Sequence, residues 1–363
     1  MPDRTHSPVA VVAGGSAGVG RACVEMLLTR GLKVAVLARG QGRLDEMHQE
    51  FGDRVWTRSV DVSDALAVNK AAHDIAEDFG TPEIWINSAM LTSFSPFEQV
   101  DDEEFRRITD TTYLGTVNGC RAALSIMARG NIVNVGSGLA YASVPFQAAY
   151  CGAKHAIEGF TQALRIELAR AERPITLSMV QLPAVNTPQF DWARNRMDQK
   201  PQPAPPVFAP EVAAKGILHA IDTDAREVLV GRSMLQLIAG NMVLPDLMEK
   251  QLAKIGVHVQ KSKRSPEILE DNLDEPLESY PSKAEGSYGH IAETSGLVVD
   301  GDMARKALAF GGGAALLAIG VLLGRVTGPS GDTPARASSR RTKRGPNWMD
   351  APPDYQRPAE YRR

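Results

Sequence analysis

The chain has 363 residues, 43% hydrophobic and 23% charged, which is ordinary for a globular protein with a sizeable core and longer than one average domain. A net charge of −3 leaves no global field to draw it to nucleic acid, and the polar opening stretch Met1 to Pro8 lacks the apolar run of a secretory signal. Cys23, Cys120 and Cys151 form neither a C-x-x-C pair nor a disulfide framework, and the seven histidines show no ligand spacing, so reduced thiols, a cytoplasmic catalytic domain and no metal are expected.

Short β-branched runs alternate with helical patterns through the first two-thirds of the chain. Val9–Ala13, Lys33–Ala38, Val55–Asp61, Ile84–Ser88, Asn131–Gly136, Ile175–Leu182 and Glu227–Val230 read as strands, several of them apolar on both faces, as when helices cover both sides of a parallel sheet. Helical patterns over Gly18–Arg30, Leu44–Phe51, Ala65–Phe79, Asp102–Met127 and Ala148–Glu172 fill the gaps. The alternation predicts a Rossmann-like, doubly wound α/β fold with a seven-stranded parallel sheet. Prolines between Pro188 and Pro210 mark a loop or lid, in which Phe190 and Trp192 either line a pocket or pack the lid.

Composition shifts again near Arg232. Residues 1–232 read as a catalytic domain and 233–302 as a C-terminal extension, whose part from Lys261 to Asp302 is polar and has little periodicity. Within 303–326, the eighteen uncharged residues Ala307 to Gly324 would make a helix about 27 Å long, at the short end of spanning length. That makes the segment a candidate membrane helix, with a glycine-rich helix packed on protein as the alternative. Residues 327–363 form a basic tail of disordered composition: from Arg325 onward there are nine Arg or Lys against four acids. A cytosolic catalytic domain with a spanning segment would send that tail across the bilayer against the positive-inside rule, a conflict that an interfacial segment avoids.

Chemistry enters at the first strand–helix junction. Gly14, Ser16, Gly18, Val19 and Gly20 follow the first strand in the spacing G-x-x-x-G-x-G, where glycines permit a tight turn and let backbone N–H groups approach a pyrophosphate; a turn without ligand is the alternative. The second strand ends at Ala38-Arg39, with no acid for the ribose hydroxyls of NAD and a cation for the 2′-phosphate of NADP, although a solvated surface arginine would look the same. Asp61 and Val62 close the third strand. Asp61 is placed to accept from an adenine amino group or simply to form a turn. Tyr150 and Lys154, four apart, share a helix face, so the ammonium can stabilise a phenolate used as general acid or base. Ser137, just past the fifth strand, is placed to hydrogen-bond a carbonyl or to cap a helix.

Taken together, the glycine turn, Asp61-Val62, the strand end Asn87-Ser88-Ala89-Met90, the Ser137…Tyr150…Lys154 set and Pro183…Thr187 resemble the short-chain dehydrogenase/reductase family over roughly Val9 to Val230. The resemblance implies an NADP(H)-dependent oxidoreductase interconverting a small-molecule carbonyl and an alcohol, and homo-oligomers built through helices. It assigns proton exchange to Tyr150, pKa control and ribose binding to Lys154, and carbonyl orientation to Ser137. Gly14, Gly18 and Gly20 go to the pyrophosphate side, Asn87 lies near the adenosine ribose and steadies the sheet, and Thr187 goes to the nicotinamide carboxamide. Two departures matter: Thr112 stands where the family has an Asn that holds a relay water, and Met90 where it has Gly. They motivate the alternative of an NADP-binding, weakly catalytic, redox-responsive scaffold at a membrane. If residues 307–324 meet a bilayer, an apolar ketone becomes the expected substrate.

Overall fold

The computed structural model describes residues 7–266 and 270–306, which fall in one compact unit. The strands of its main sheet are β1 (Val9–Ala13), β2 (Lys33–Ala38), β3 (Val55–Ser59), β4 (Pro82–Asn87), β5 (Gly130–Val135), β6 (Ile175–Gln181), β7 (Glu227–Val230) and β8 (Val298–Asp300). They lie side by side in the order β8-β7-β6-β5-β4-β1-β2-β3. The first seven strands run parallel, as expected. The sheet has eight strands rather than seven, because the extension returns β8 antiparallel along β7, pairing Val228 with Asp300 and Val230 with Val298. Three residues with no strand periodicity around them gave no signal of that edge.

Alternation within the central strands builds a core on each face. Ala10, Val12, Val34 and Val36 point to one side, against Ala22, Cys23 and Leu27 of α1 (Gly18–Thr29) and Val212 and Ile217 of α7 (Pro210–Asp222). Val9, Val11, Ala35 and Leu37 point to the other, against Val68 and Ile75 of α3 (Ala65–Asp78) and Ala123 of α5 (Gly115–Ile126). Each fully buried aliphatic side chain contributes about 1.5–3 kcal/mol, which is why these strands show no polar face.

Helix starts follow local chemistry. Asp64 caps α3, accepting from the N–H of Leu66 and Ala67, and Asp101 caps α4 (Asp102–Thr109) through Glu104 N–H. The long helix expected over Asp102–Met127 is interrupted by a π-turn at Asp110–Leu114, whose extra residue the periodicity does not reveal. Helix α2 (Gln41–Phe51) begins three residues earlier than its apolar pattern, immediately past β2. Helix α6 (Ala148–Arg170) carries the Tyr–Lys pair, and α8 (Arg232–Val243) and α9 (Pro245–Val259) form a helical pair in the extension.

No helix among the described residues is long and apolar enough to cross a membrane. The candidate membrane helix at 307–324 and the basic tail lie outside the described residues.

Candidate active site

In a parallel sheet wound in this order, ligands bind at the carboxyl ends of the strands, where the chain switches direction between β1 and β4. A cavity of about 520 Å³ lies there. Gly14, Ser16, Gly18 and Val19 line it from the β1–α1 turn. Arg39, Asp61 and Val62 line it from the ends of β2 and β3, and Ser137, Tyr150, Lys154 and Thr187 from the β5, α6 and β6 side.

The glycine turn needs its glycines. Gly14 has φ +83°, and a Cβ there would lie 2.5 Å from the Ala89 nitrogen, so no side chain fits between β1 and the end of β4. Gly18 has φ +58°, and its missing Cβ would sit 3.3 Å from Thr187, across the cleft. Gly20 does not line the cavity; a Cβ there would lie 2.1 Å from the Gly14 carbonyl oxygen, so it serves the closeness of turn and helix.

Asn87 is likewise not a wall residue. Its Oδ1 accepts from Trp85 Nε1 at 2.8 Å and its Nδ2 donates to Asn134 Oδ1 at 2.9 Å, so the amide is spent on bracing β4 against β5. The adjacent Ser88 and Ala89 face the cleft instead. Strand alternation accounts for this: Asn87 belongs to the last register pair of β4, and its side chain lies within the sheet layers rather than at their rim.

Arg39 reaches the cavity, but its guanidinium donates to the backbone carbonyls of Asn272 (2.5 Å), Leu273 (3.1 Å) and Asp274 (3.1 Å). Burial, then Arg107 nearby, lowers its pKa from the ordinary arginine value. Asp61 is held by Arg107 at 2.5 Å and by Ser63. Burial pushes its carboxyl up, but the hydrogen bonds from Arg107 and Ser63 prevail and leave it below the usual carboxylate range.

Ser137 does two things at once. Its Oγ accepts from Leu139 N–H at 3.1 Å, capping the short turn Gly138–Ala140, and its hydroxyl stands beside that of Tyr150. Burial raises the Tyr150 pKa, and the polar Ser137 hydroxyl beside it pulls it partly back. Lys154 Nζ donates to the Val135 carbonyl at 2.7 Å, and burial pushes its pKa down to about 7. Removing an ammonium from water disfavours its charged form, so the lysine sits close to its titration point at neutral pH.

Thr112 is fully buried, and its hydroxyl accepts from Leu91 N–H at 3.0 Å and donates to Leu91 O at 3.1 Å. Thr111, next to it, lines the cleft with a buried hydroxyl that has no partner among the described residues. Phe190 and Trp192 both line the cavity and both pack: Phe190 against Phe94 and Tyr288, Trp192 edge-on against Tyr280. The three cysteines are free and buried, and no cluster of metal-ligating side chains exists among the described residues.

The residues present suit a nicotinamide dinucleotide. The cleft joins a turn that admits no side chain at Gly14, a buried lysine with a single carbonyl partner and a cationic end at Arg39. Asn272, Arg43 and Thr111 are further wall residues that the sequence reading passed over. Arg43 could have been found as a second cation four residues after Arg39. Asn272 lies more than two hundred residues away in an aperiodic stretch, with no local signal.

The comparisons agree with this geometry. Residues 8–198 match the family model described as short chain dehydrogenase. The uncharacterized oxidoreductase YxnA of Bacillus subtilis is 28% identical over 273 residues, covering 73% of this chain and 76% of that protein. A short chain dehydrogenase from Burkholderia cenocepacia, solved in complex with NADP, is 27% identical with a TM-score of 0.58, over 68% of this chain and 98% of that one. A short-chain dehydrogenase from Streptomyces avermitilis shares the fold, with a TM-score of 0.59 over 69% of this chain and 96% of its own. The chain belongs to the short-chain dehydrogenase family.

Proposed function

We propose that the protein is an NADP(H)-dependent oxidoreductase interconverting a carbonyl and an alcohol, with Tyr150 as the proton-exchanging group. One observation carries the reading: Ser137, Tyr150 and Lys154 line the same cavity as the Gly14–Val19 turn and Arg39. The Burkholderia relative's complex with NADP supports the choice of cofactor class.

Gly14, Ser16, Gly18 and Val19 would hold the pyrophosphate, Arg39, Asp61 and Val62 the adenosine end, and Lys154 and Thr187 the nicotinamide end. The bound nucleotide would supply or accept the hydride. In reduction, Tyr150 gives its phenol proton to the substrate oxygen, while Ser137 donates to that oxygen and fixes its position. In oxidation, Tyr150 takes the proton back. Lys154, charged at or below about pH 7, stabilises the phenolate that reduction leaves behind and from which oxidation starts.

The substrate end of the cavity is apolar. Met234 and Leu237 of α8 and Leu252, Ile255 and Val259 of α9 line it, which favours an apolar ketone or aldehyde over a small polar one. Residues 307–324 are the proposed membrane contact of such an enzyme, tested by flotation with neutral liposomes of the full chain against one ending at residue 306.

The second reading, a nucleotide-binding scaffold with little turnover, is favoured by Thr112, whose hydroxyl is fully engaged with Leu91. The deciding experiment is NADPH oxidation over a panel of aldehydes and ketones, with NADH and Tyr150→Phe beside it. Tyr150-dependent turnover supports the enzyme; nucleotide binding without turnover across the panel supports the scaffold.

A further inference from the structure

We propose that Glu278, in the C-terminal extension, is a specificity-determining residue: its carboxylate holds the backbone donors that a 2′-phosphate at the end of β2 would need, so it selects against NADP(H) relative to NAD(H). This deepens the reading above and rests on the nucleotide occupying the cleft.

The last residue of β2 is Ala38, and α2 begins at Gln41, so only two residues separate the helix from the strand end where the adenosine ribose of a dinucleotide sits. The first N–H groups of a helix have no partner within it and favour anions. Here two of them are taken. Gln41 N–H donates to Glu278 Oε1 at 3.1 Å, and Gly42 N–H to Glu278 Oε2 at 2.9 Å. The absence of a side chain at Gly42 lets the carboxylate approach, since a Cβ there would lie 2.8 Å from Oε2.

Two guanidinium groups flank this point, and backbone carbonyls of the same extension occupy both. Arg39 donates to the carbonyls of Asn272, Leu273 and Asp274. Arg43 donates to the carbonyls of Leu277 (2.5 Å) and Tyr280 (3.3 Å). Arg43 is only 6% exposed, lines the cavity, and its Nε has no partner among the described residues. A buried cation with an unspent N–H, beside a second cation and a helix N-terminus, forms a built anion site. The segment from Asn272 to Tyr280 fills it with five neutral carbonyl contacts on the guanidinium groups and two from the Glu278 carboxylate at the helix, which brings the one formal charge.

A 2′-phosphate and the Glu278 carboxylate cannot share the Gln41 and Gly42 N–H groups, and at close range they repel. The 2′-hydroxyl of NADH carries no charge, can donate to a carboxylate, and leaves Glu278 in place. Glu278 is exposed, so it can swing aside, but doing so forfeits two charge-assisted hydrogen bonds. Its effect therefore falls on NADPH and not on NADH, and narrows the preference that Arg39 alone would set.

The test is calorimetric titration of the full chain with NADPH and with NADH, which needs no substrate, on the unmodified protein and on Glu278→Gln and Glu278→Ala. Both variants should bind NADPH about tenfold more tightly and keep NADH within about twofold. Two variants of one exposed side chain, with melting curves, separate loss of the carboxylate from loss of fold. An equal gain for both nucleotides would make the segment a mere cover and overturn the proposal, as would unchanged or weaker NADPH binding. Failure of all three proteins to bind either nucleotide would overturn the cofactor reading itself, and Glu278's role with it.

Discussion

Lys154 Nζ lies 5.5 Å from the centre of the Tyr150 ring on the same face of α6, and its hydrogen bond goes to the Val135 carbonyl at the end of β5. Helical spacing of four brings the two side chains together, and the β5 end anchors the ammonium. Burial then moves both groups toward their neutral forms, the lysine down to about 7 and the tyrosine upward.

That pair makes stability depend on pH with a definite sign. The ordinary lysine value is 10.5 and the folded value about 7, so between them the unfolded chain binds a proton that the folded chain has released. Stability from this group therefore rises with pH across that window and is lost as pH falls toward 7. Tyr150 acts above its ordinary value of 10, where the unfolded phenol ionises first and stability falls. Lys154→Met removes the lower slope. Its melting temperature should exceed that of the unmodified protein by a few degrees near pH 7, with the gap closing toward pH 10. Parallel melting curves over that range would refute a titrating buried lysine.

Tyr150→Phe removes one oxygen from a residue that is 9% exposed and packed among Leu91, Ile108 and Ala149. The fold should hold, and NADPH should bind within about threefold of the unmodified protein. Turnover should fall about 10²- to 10⁴-fold, the usual worth of a positioned general acid. A calorimetric titration beside a rate measurement separates the two. Retained turnover would move the proton donor elsewhere.

Much of this architecture could be read from alternation alone. Val9–Ala13 and Lys33–Ala38 are apolar at every position except Lys33, which only a strand covered on both faces tolerates, and the structure returns both with the same bounds. The wall residues Ser137, Tyr150 and Lys154 were legible because strand end and helix face are local properties. The stretch from Asn272 to Tyr288 was not. It is held by backbone carbonyls and single side chains, such as Ser282 Oγ on the Ser16 carbonyl and Lys283 O on Gly18 N–H, and such contacts leave no period in the sequence. Asn87 was legible in one of its two expected roles: its amide braces neighbours inside the sheet, while the side chain does not line the cavity.

Asn87 should accordingly behave as a stability residue. Asn87→Leu orphans Trp85 Nε1–H and one acceptor of Asn134, whose own Nδ2 donates to Thr161 at 2.9 Å. Leaving a buried donor and an acceptor unmade costs about 1–3 kcal/mol each, so urea unfolding should report a loss of about 3 kcal/mol. Nucleotide affinity of the folded variant should stay within about threefold. A selective loss of NADPH binding with stability intact would return Asn87 to the cleft.

The apolar wall predicts a trend across substrates. Leu237 and Leu252 face the cavity from the two helices of the extension. For a series of methyl ketones, kcat/KM should climb with alkyl length until the wall is covered, by about 0.8 kcal/mol, or roughly fourfold, per buried methylene. Leu252→Asp should flatten that climb while leaving the shortest ketone nearly unchanged. A flat series in the unmodified protein would exclude an apolar substrate.

Thr112 sits where the π-turn meets the loop after β4, and its hydroxyl both accepts from and donates to Leu91. Thr112→Val keeps the shape and orphans two buried backbone groups, so it should destabilise the protein by about 2 kcal/mol and slow turnover by loosening the loop that carries Met90. Thr112→Asn differs, because an amide offers an acceptor oxygen for Leu91 N–H and a two-proton donor for Leu91 O, with one N–H and one lone pair to spare. Those spare groups are what a water behind Lys154 needs. Thr112→Asn should therefore fold with near-native stability and raise turnover several-fold, while its Tyr150→Phe double variant stays inactive. If Asn slows the reaction as much as Val does, the position serves packing, and proton supply to Tyr150 runs by another route.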